Sequence, residues 1–246
     1  MKKVLFYAFV LMACLVAGCK KDSQKNKVYL LRQQITDYRA DGYPVDTANY
    51  TYDEKNRITT ITDASGTDQI KYVMAYDAQD RVTTARKYNS TGGLIIAFDF
   101  FYSGDVTGYY FYGSSHVADT AYFTFNNSRQ LTRITTKHSG SQTFAYDSNG
   151  NVASTTALPV DGSSNLGDQT SFSYDNRKNP FSQSSANNYF YMYVVRIGNP
   201  STLKNNVLIR NADKFTYTYN PDGFPVSASI KTIRSTLYVY YNYTTK

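Results

Sequence analysis

The residues able to support metal or acid–base chemistry are few and widely spaced in this sequence. Its two histidines, His116 and His138, are not arranged as a zinc-ligand pair. The run Asp147-Ser148-Asn149-Gly150-Asn151 begins like a calcium loop, but the acidic ligand that should follow is missing. Asp99 and Asp105 could form a glycosidase carboxylate pair, although sequence alone gives no distance between them. No G-x-S-x-G motif or phosphate-binding glycine loop occurs. The sequence therefore predicts a non-catalytic protein without a metal or cofactor.

The N-terminus has the features of an export leader. Lys2 and Lys3 precede an apolar stretch, Val4–Val16, that is too short for a transmembrane helix. The next residues, Leu15-Val16-Ala17-Gly18-Cys19, resemble the lipobox of bacterial lipoproteins. That resemblance implies cleavage after residue 18 and acylation of Cys19, which would anchor the chain in a membrane leaflet. The alternative is an ordinary signal peptide with an incidental cysteine.

Removal of residues 1–18 would leave a mature chain without a spare thiol. Cys14 would leave with the leader and Cys19 would carry the lipid, so no disulfide or cysteine nucleophile is expected. Residues 19–27 form a polar tether. The net charge of +7 falls to +5 without Lys2 and Lys3, and no basic stripe is visible. The expected partner is therefore a membrane reached through the anchor, and not a nucleic acid.

A short repeat organises the chain from residue 28 to 246, which we predict to be one domain. Its pattern is aromatic, small, aromatic, Asp or Asn, three turn residues, one further residue and an apolar residue, as in the stretch 50–58. Alternating side chains in a strand point to opposite faces, so both aromatics share one face. The copies begin at Tyr50, Met74, Phe123, Phe144, Phe172 and Tyr217, and they end at Ile58, Val82, Leu131, Val152, Pro180 and Pro225.

Each copy is typical of a β-hairpin. Asp or Asn opens a type I turn, and the position three residues later favours a left-handed backbone. We therefore predict positive φ angles at Gly150 and Gly223. Pro180 and Pro225 occupy the position where a strand restarts, which is one place where a sheet accepts proline.

The repeat predicts an all-β fold, a single antiparallel meander of about 14–17 strands that is strongly curled or closed. The first strand is expected near Val28–Ile35 and the last near Tyr238–Tyr243. These strands could pair and close the sheet into a barrel, or they could remain as ordinary edges. Long loops are expected at Leu158–Asp168 and Lys178–Asn188.

Two resemblances support this interpretation. The stretches Asp53–Ile58 and Asp77–Val82 resemble the YD repeats of RHS proteins and teneurins, although the D-P-x-G core motif is absent. The stretches 174–181, 205–207 and 217–225 resemble a Bacteroidetes lipoprotein family of unknown function with a porin-like β fold. The second resemblance implies a many-stranded antiparallel sheet and no assigned activity.

Three functions remain open from the sequence. The first is a cell-envelope lipoprotein at the bacterial outer membrane, facing the periplasm or the cell surface, that binds a glycan, peptide or lipid-like ligand. The 25 tyrosines, with no tryptophan, suit cross-strand pairing as well as ligand contact. The second is a structural or interaction module of YD-repeat type with no small ligand. The third is an unrecognised hydrolase.

Overall fold

A computed structural model describes residues 27–103, 106–113, 117–138, 140–159, 168–184 and 204–246. The described chain is built almost wholly of strands, with one 3₁₀ turn at Arg39–Asp41. The strands are β1 (Tyr29–Asp37), β2 (Asp46–Tyr52), β3 (Ile58–Ser65), β4 (Asp68–Tyr76), β5 (Val82–Tyr88), β6 (Leu94–Ser103), β7 (Val106–Tyr112), β8 (Val117–Phe125), β9 (Leu131–Thr136), β10 (Ser141–Tyr146), β11 (Val152–Leu158), β12 (Gln169–Tyr174), β13 (Val207–Arg210), β14 (Asp213–Tyr219), β15 (Pro225–Lys231) and β16 (Thr236–Thr245).

The sheet closes into a sixteen-stranded barrel. Each strand pairs with its neighbours in sequence, and β1 also pairs with β16. Across that seam the Asn242 side-chain amide donates to the Gln33 side-chain oxygen at 3.0 Å. Closure leaves neither terminal strand as an open edge. The predicted all-β meander is confirmed, and of the two alternatives that the sequence left open for the terminal strands, the closed one is observed.

The predicted hairpin turns form at one end of the barrel. In the first copy, the Asp53 carboxylate accepts the backbone N–H groups of Lys55 and Arg57 at 3.0 and 2.9 Å. The backbone N–H of Asn56 donates to the Asp53 carbonyl at 3.1 Å, and Asn56 has φ +62°. The left-handed conformation recurs at Asp80, Arg129, Gly150 and Gly223, which confirms the prediction for both glycines. Pro225 begins β15, also as predicted.

The copy that begins at Phe172 departs from the prediction. Pro180 does not start a strand, and Lys178 is not left-handed; β12 pairs instead with β13, which begins at Val207. The Asp175 carboxylate accepts the backbone N–H of Asn206 at 3.0 Å, the bond that Arg57 makes in the first copy. Residues 176–205, which we call the insertion, therefore take the place of the short turn in the other copies. The hydrogen bonds that close the repeat are kept between Asp175 and Asn206.

The two faces of the sheet differ in polarity. Aromatic and aliphatic side chains fill the interior, and Ile58, Ile61 and Leu131 are no more than 1% exposed. The outer face carries hydroxyl pairs such as Thr218 and Ser227, whose oxygens are 2.6 Å apart. The outer face also exposes aromatic side chains, among them Tyr110, Tyr122 and Tyr238, which are 40–49% exposed.

A row of tyrosines links neighbouring repeats. In each case a tyrosine near a strand end donates its hydroxyl to a backbone carbonyl on the preceding strand, which we call the tyrosine ladder. The acceptors include the apolar residues that restart the chain after a turn. The pairs are Tyr52 to Leu31, Tyr76 to Ile58, Tyr102 to Val82, Tyr146 to Leu131, Tyr174 to Val152 and Tyr243 to Pro225, at 2.6–2.8 Å.

Within the part of the chain that the structure describes, no helical segment has the length and hydropathy that a bilayer crossing needs. The leader, Cys19 and the tether up to residue 26 lie outside the described residues, as do residues 160–167 of the first predicted loop and 185–188 of the second.

Candidate functional site

The residues singled out for acid–base or metal chemistry do not form a site among the described positions. Asp99 forms an ion pair with Arg86 on the outer face, whereas Asp105 lies outside the described residues. His138 is exposed in a turn. His116, like Asp105, lies outside the described residues. No cluster that could hold a metal occurs among the residues that are described.

The calcium-like run is a hairpin turn. The Asp147 carboxylate accepts the backbone N–H groups of Asn149 and Asn151, both at 2.9 Å. These are the bonds that Asp53 makes in the first copy, so the acidic residue closes the turn. The sequence-based preference for a turn over a calcium site is consistent with this geometry.

The candidate site is a cavity of about 280 Å³ in the barrel interior. It lies against β1, β2 and the strands β13 to β16, together with a short stretch of the insertion. Its volume is close to the roughly 300 Å³ at which small-molecule sites begin. The lining residues are Gln34, Thr36, Tyr38, Tyr50, Asn179, Pro180, Phe181, Asn206, Val207, Arg210, Phe215, Tyr217, Ile230, Thr232, Leu237, Val239 and Tyr241.

The insertion supplies one wall of the cavity. Phe181 is 6% exposed, and its ring meets that of Tyr50 edge to face at 5.3 Å between centroids. The Asn179 side-chain oxygen accepts the Phe181 backbone N–H at 3.0 Å, and the Asn179 amide donates to the Asn205 carbonyl at 3.3 Å. Burial of Phe181 and these hydrogen bonds hold Pro180 against the cavity.

Asp175 ties the insertion to the barrel. Its carboxylate accepts the hydroxyl of Tyr219 and, at 3.1 Å, the side-chain amide of Asn206. Asn206 is 1% exposed and also donates to the Lys178 carbonyl at 3.1 Å. This carboxylate is engaged by several donors at once, which gives it a structural role beside the cavity.

Arg210 lies toward the opposite end of the cavity and is the one charged residue among the lining residues that the structure describes. Its Nε and Nη2 donate to the same oxygen of Asp213, at 3.2 and 2.8 Å. The guanidinium carbon is 5.7 Å from the ring centre of Phe215. The ion pair and the aromatic ring together fix the guanidinium at this position.

The tyrosines in the interior are held in the neutral form. Burial raises the pKa of Tyr217 and Tyr241, both of which line the cavity, well above the ordinary value near 10. A neutral phenol can donate or accept a hydrogen bond, but it is a poor base because its basic form is the phenolate, which the raised pKa disfavours at neutral pH. The cavity therefore offers apolar surface and hydrogen bonds without an evident acid–base pair.

Sequence reasoning missed the residues that the insertion and β13 bring to the cavity. Asn206, Val207 and Arg210 follow a long stretch with no hairpin pattern of its own. The sequence did contain a signal: the repeat opened by Asp175 has proline at the position where four other copies have an apolar residue. Assigning the closing role to Val207 instead would have placed Arg210 on the strand that follows.

Comparison with known proteins finds distant likenesses to solved structures. No family model matches the chain, and no curated protein matches it. A porin-like protein from Bacteroides uniformis ATCC 8492 is 14% identical, covering 87% of this chain and 96% of that one, with a TM-score of 0.49. A porin-like protein from Bacteroides vulgatus ATCC 8482 is 12% identical, covering 88% and 99%, with a TM-score of 0.38.

A TcdB2-TccC3-TEV structure is 14% identical over 82% of this chain, which spans 10% of that one, with a TM-score of 0.21. At these identities and TM-scores, none of the three likenesses carries an argument about function.

Proposed function

We propose that the protein is a non-catalytic binding lipoprotein of the bacterial cell envelope that takes a small ligand into the barrel cavity. The observation that carries the proposal is the cavity itself. Most of the interior is filled by packed side chains, yet the space beside Tyr217, Tyr241 and Phe181 is left open. A purely structural barrel would have no need of such a space, since filling it would add apolar contact.

The form of the cavity suits binding better than turnover. Room for about nine waters is enough for a small organic molecule. The lining combines aromatic rings with the amides of Gln34 and Asn206, which is the mixture typical of small-ligand sites. No nucleophile with an adjacent base is found among its lining residues.

The cellular location is part of the same proposal. The lipobox-like stretch ending at Cys19 supports a lipid anchor in the outer membrane, facing either the periplasm or the cell surface. The barrel would then be attached to the membrane through residues 19–27.

The test is to fill the cavity and measure small-molecule binding. Leu237 lines the cavity, whereas its neighbour Tyr238 is 48% exposed on the outside. The chain from residue 19 onward, made without the leader, would be screened by thermal shift against small aromatic and aliphatic compounds. Binding should weaken at least tenfold in Leu237→Trp and be unchanged in Tyr238→Trp. Failure of every compound to bind, or equal binding by both variants, would overturn the proposal.

A further inference from the structure

The charges around the cavity are uneven. Among the described residues of the lining, Arg210 is the one that carries a charge, and none of them is a carboxylate. Asp46 is paired with Thr36 in the register of β1 and β2, but it is not one of the lining residues. A ligand inside the cavity would therefore meet one cationic group, which is ion-paired with Asp213, beside neutral side chains.

Arg210 has capacity for a second acceptor. Asp213 occupies Nε and Nη2 through a single oxygen, and no described hydrogen bond uses Nη1. The Arg210 side chain is 43% exposed, so an incoming acceptor has access to it. A guanidinium presents donors in a planar fork that matches the two oxygens of a carboxylate.

The remaining lining is arranged by polarity along the strands. Arg210 ends β13, and Phe215 lies near the start of the next strand. Ile230 and Leu237 are paired across β15 and β16 and continue the apolar wall. Farther along β16, Val239 and Tyr241 extend that wall toward the insertion. An apolar body can thus lie along the wall while a charged head remains at Arg210.

We infer that the cavity binds small monocarboxylates with an apolar or aromatic body, and that Arg210 binds the carboxylate. The inference rests on the proposed binding function and adds the class of ligand. The affinity comes from two sources, a charge-assisted hydrogen bond at one end and apolar burial along the wall.

The test compares pairs of ligands that differ in charge alone. Hexanoate and phenylacetate would be titrated by calorimetry against hexanamide and phenylacetamide, using the unacylated chain from residue 19. Each carboxylate should bind about tenfold or more tightly than its amide, as a charge-assisted bond implies. Equal binding of acid and amide would overturn this inference and leave the binding function standing. Absence of binding by all four would overturn this inference, while the binding function itself would be decided by the wider thermal-shift screen.

Variants of the charged residues complete the test. Arg210→Met should remove the preference for the carboxylate, and Arg210→Lys should retain part of it. Arg234 is exposed in the turn between β15 and β16 and is not a lining residue, so Arg234→Met is the matched control and should keep the preference. Equal losses in Arg210→Met and Arg234→Met would overturn the assignment.

Asp213→Asn separates binding from a merely structural role for Arg210. Removing the competing carboxylate should strengthen hexanoate binding several-fold, because Arg210 is then free of its ionic partner. A purely structural ion pair would give weaker or unchanged binding in this variant, and either result would count against the inference.

Discussion

The hydroxyl of Tyr76 donates to the backbone carbonyl of Ile58 at 2.6 Å and so joins two consecutive repeats. The regular pairing of β3 with β4 starts at Thr60, beyond this carbonyl. The tyrosine therefore satisfies a backbone acceptor that the sheet leaves unpaired on this side. The ring of Tyr76 also lies beneath Arg57, whose guanidinium carbon is 4.4 Å from the ring centre. Several of the 25 tyrosines are explained by this structural use.

Replacing Tyr76 with Phe should destabilise the barrel by about 1–2 kcal/mol, because the Ile58 carbonyl loses its donor while the ring is kept. Urea denaturation followed by circular dichroism measures the change. Tyr110→Phe is the control, since Tyr110 is 40% exposed on the outer face, and it should stay within about 0.5 kcal/mol. Equal stability of Tyr76→Phe and the unmodified chain would refute a role for the ladder in stability.

The left-handed turn position gives a second prediction. Gly223 has φ +83°, and an added Cβ would meet nothing within 4 Å. Any cost of substitution is therefore conformational, and Gly223→Val should lose about 1–2 kcal/mol of unfolding free energy. Gly223→Asn should lose less, because Asn56 holds the same conformation in the first copy. Thermal denaturation of the two variants provides the measurement, and an equal cost for both would contradict the conformational argument.

The short hairpin turns could be predicted from the sequence because the hydrogen bonds that close them join residues close together in the chain. Asp53 and Arg57 are four residues apart and make the closing bonds by themselves. The same chemistry between Asp175 and Asn206 spans 31 residues, so a short pattern could not reveal it. Pro180 stands at the closing position of the repeat but does not begin a strand, and it lies in the cavity wall instead.

The cavity could not be predicted for a related physical reason. Its lining comes from both ends of the chain. Gln34 on β1 and Tyr241 on β16 line the same space because the two strands are neighbours in the closed barrel. Sequence patterns show which residues face inward, but they do not show where the inward side chains fail to fill the space. That depends on the register of strands and on the course of the insertion.

Stability should fall at alkaline pH. Burial raises the pKa of Tyr102 and Tyr109 to about 12, whereas an unfolded tyrosine ionises near 10. Their contribution is complete below about pH 10 and declines as the pH rises toward the folded-state value, because the unfolded chain releases protons first. Each buried tyrosine should contribute a slope of up to about 1.4 kcal/mol per pH unit in that window.

Urea denaturation at a series of pH values, with tyrosinate absorbance recorded in parallel, measures this slope. Tyr102→Phe should reduce it by about one tyrosine's share. A free energy of unfolding that stays level above pH 10 would count against the burial of these phenols.

The opposite dependence is expected at acid pH for Asp53. Burial favours a higher pKa for this carboxyl, but the backbone and guanidinium of Arg57 outweigh burial and hold the pKa below its ordinary value. Its stabilising contribution is therefore present above about pH 4 and is lost as the pH falls through the lowered value.

Asp53→Asn isolates the charge, since Asn126 makes the same turn in another copy with bonds of 3.0 and 2.9 Å. The variant should be about 1 kcal/mol less stable at neutral pH and equal to the unmodified chain near pH 2. Chemical denaturation at both pH values is the measurement. A difference that persists unchanged in acid would show that the turn, and not the ion pair with Arg57, had been damaged.

The anchor proposed at Cys19 gives the last prediction. If the lipobox-like stretch is processed as the resemblance implies, cells fed labelled palmitate should incorporate label into the chain, and the mature N-terminus should be a blocked Cys19. Cys19→Ser should abolish the label and accumulate the uncleaved precursor. Cys14→Ser is the matched control, because Cys14 lies within the leader, and it should leave labelling intact. Absence of label from the unmodified chain, or equal label in Cys19→Ser, would refute the anchor.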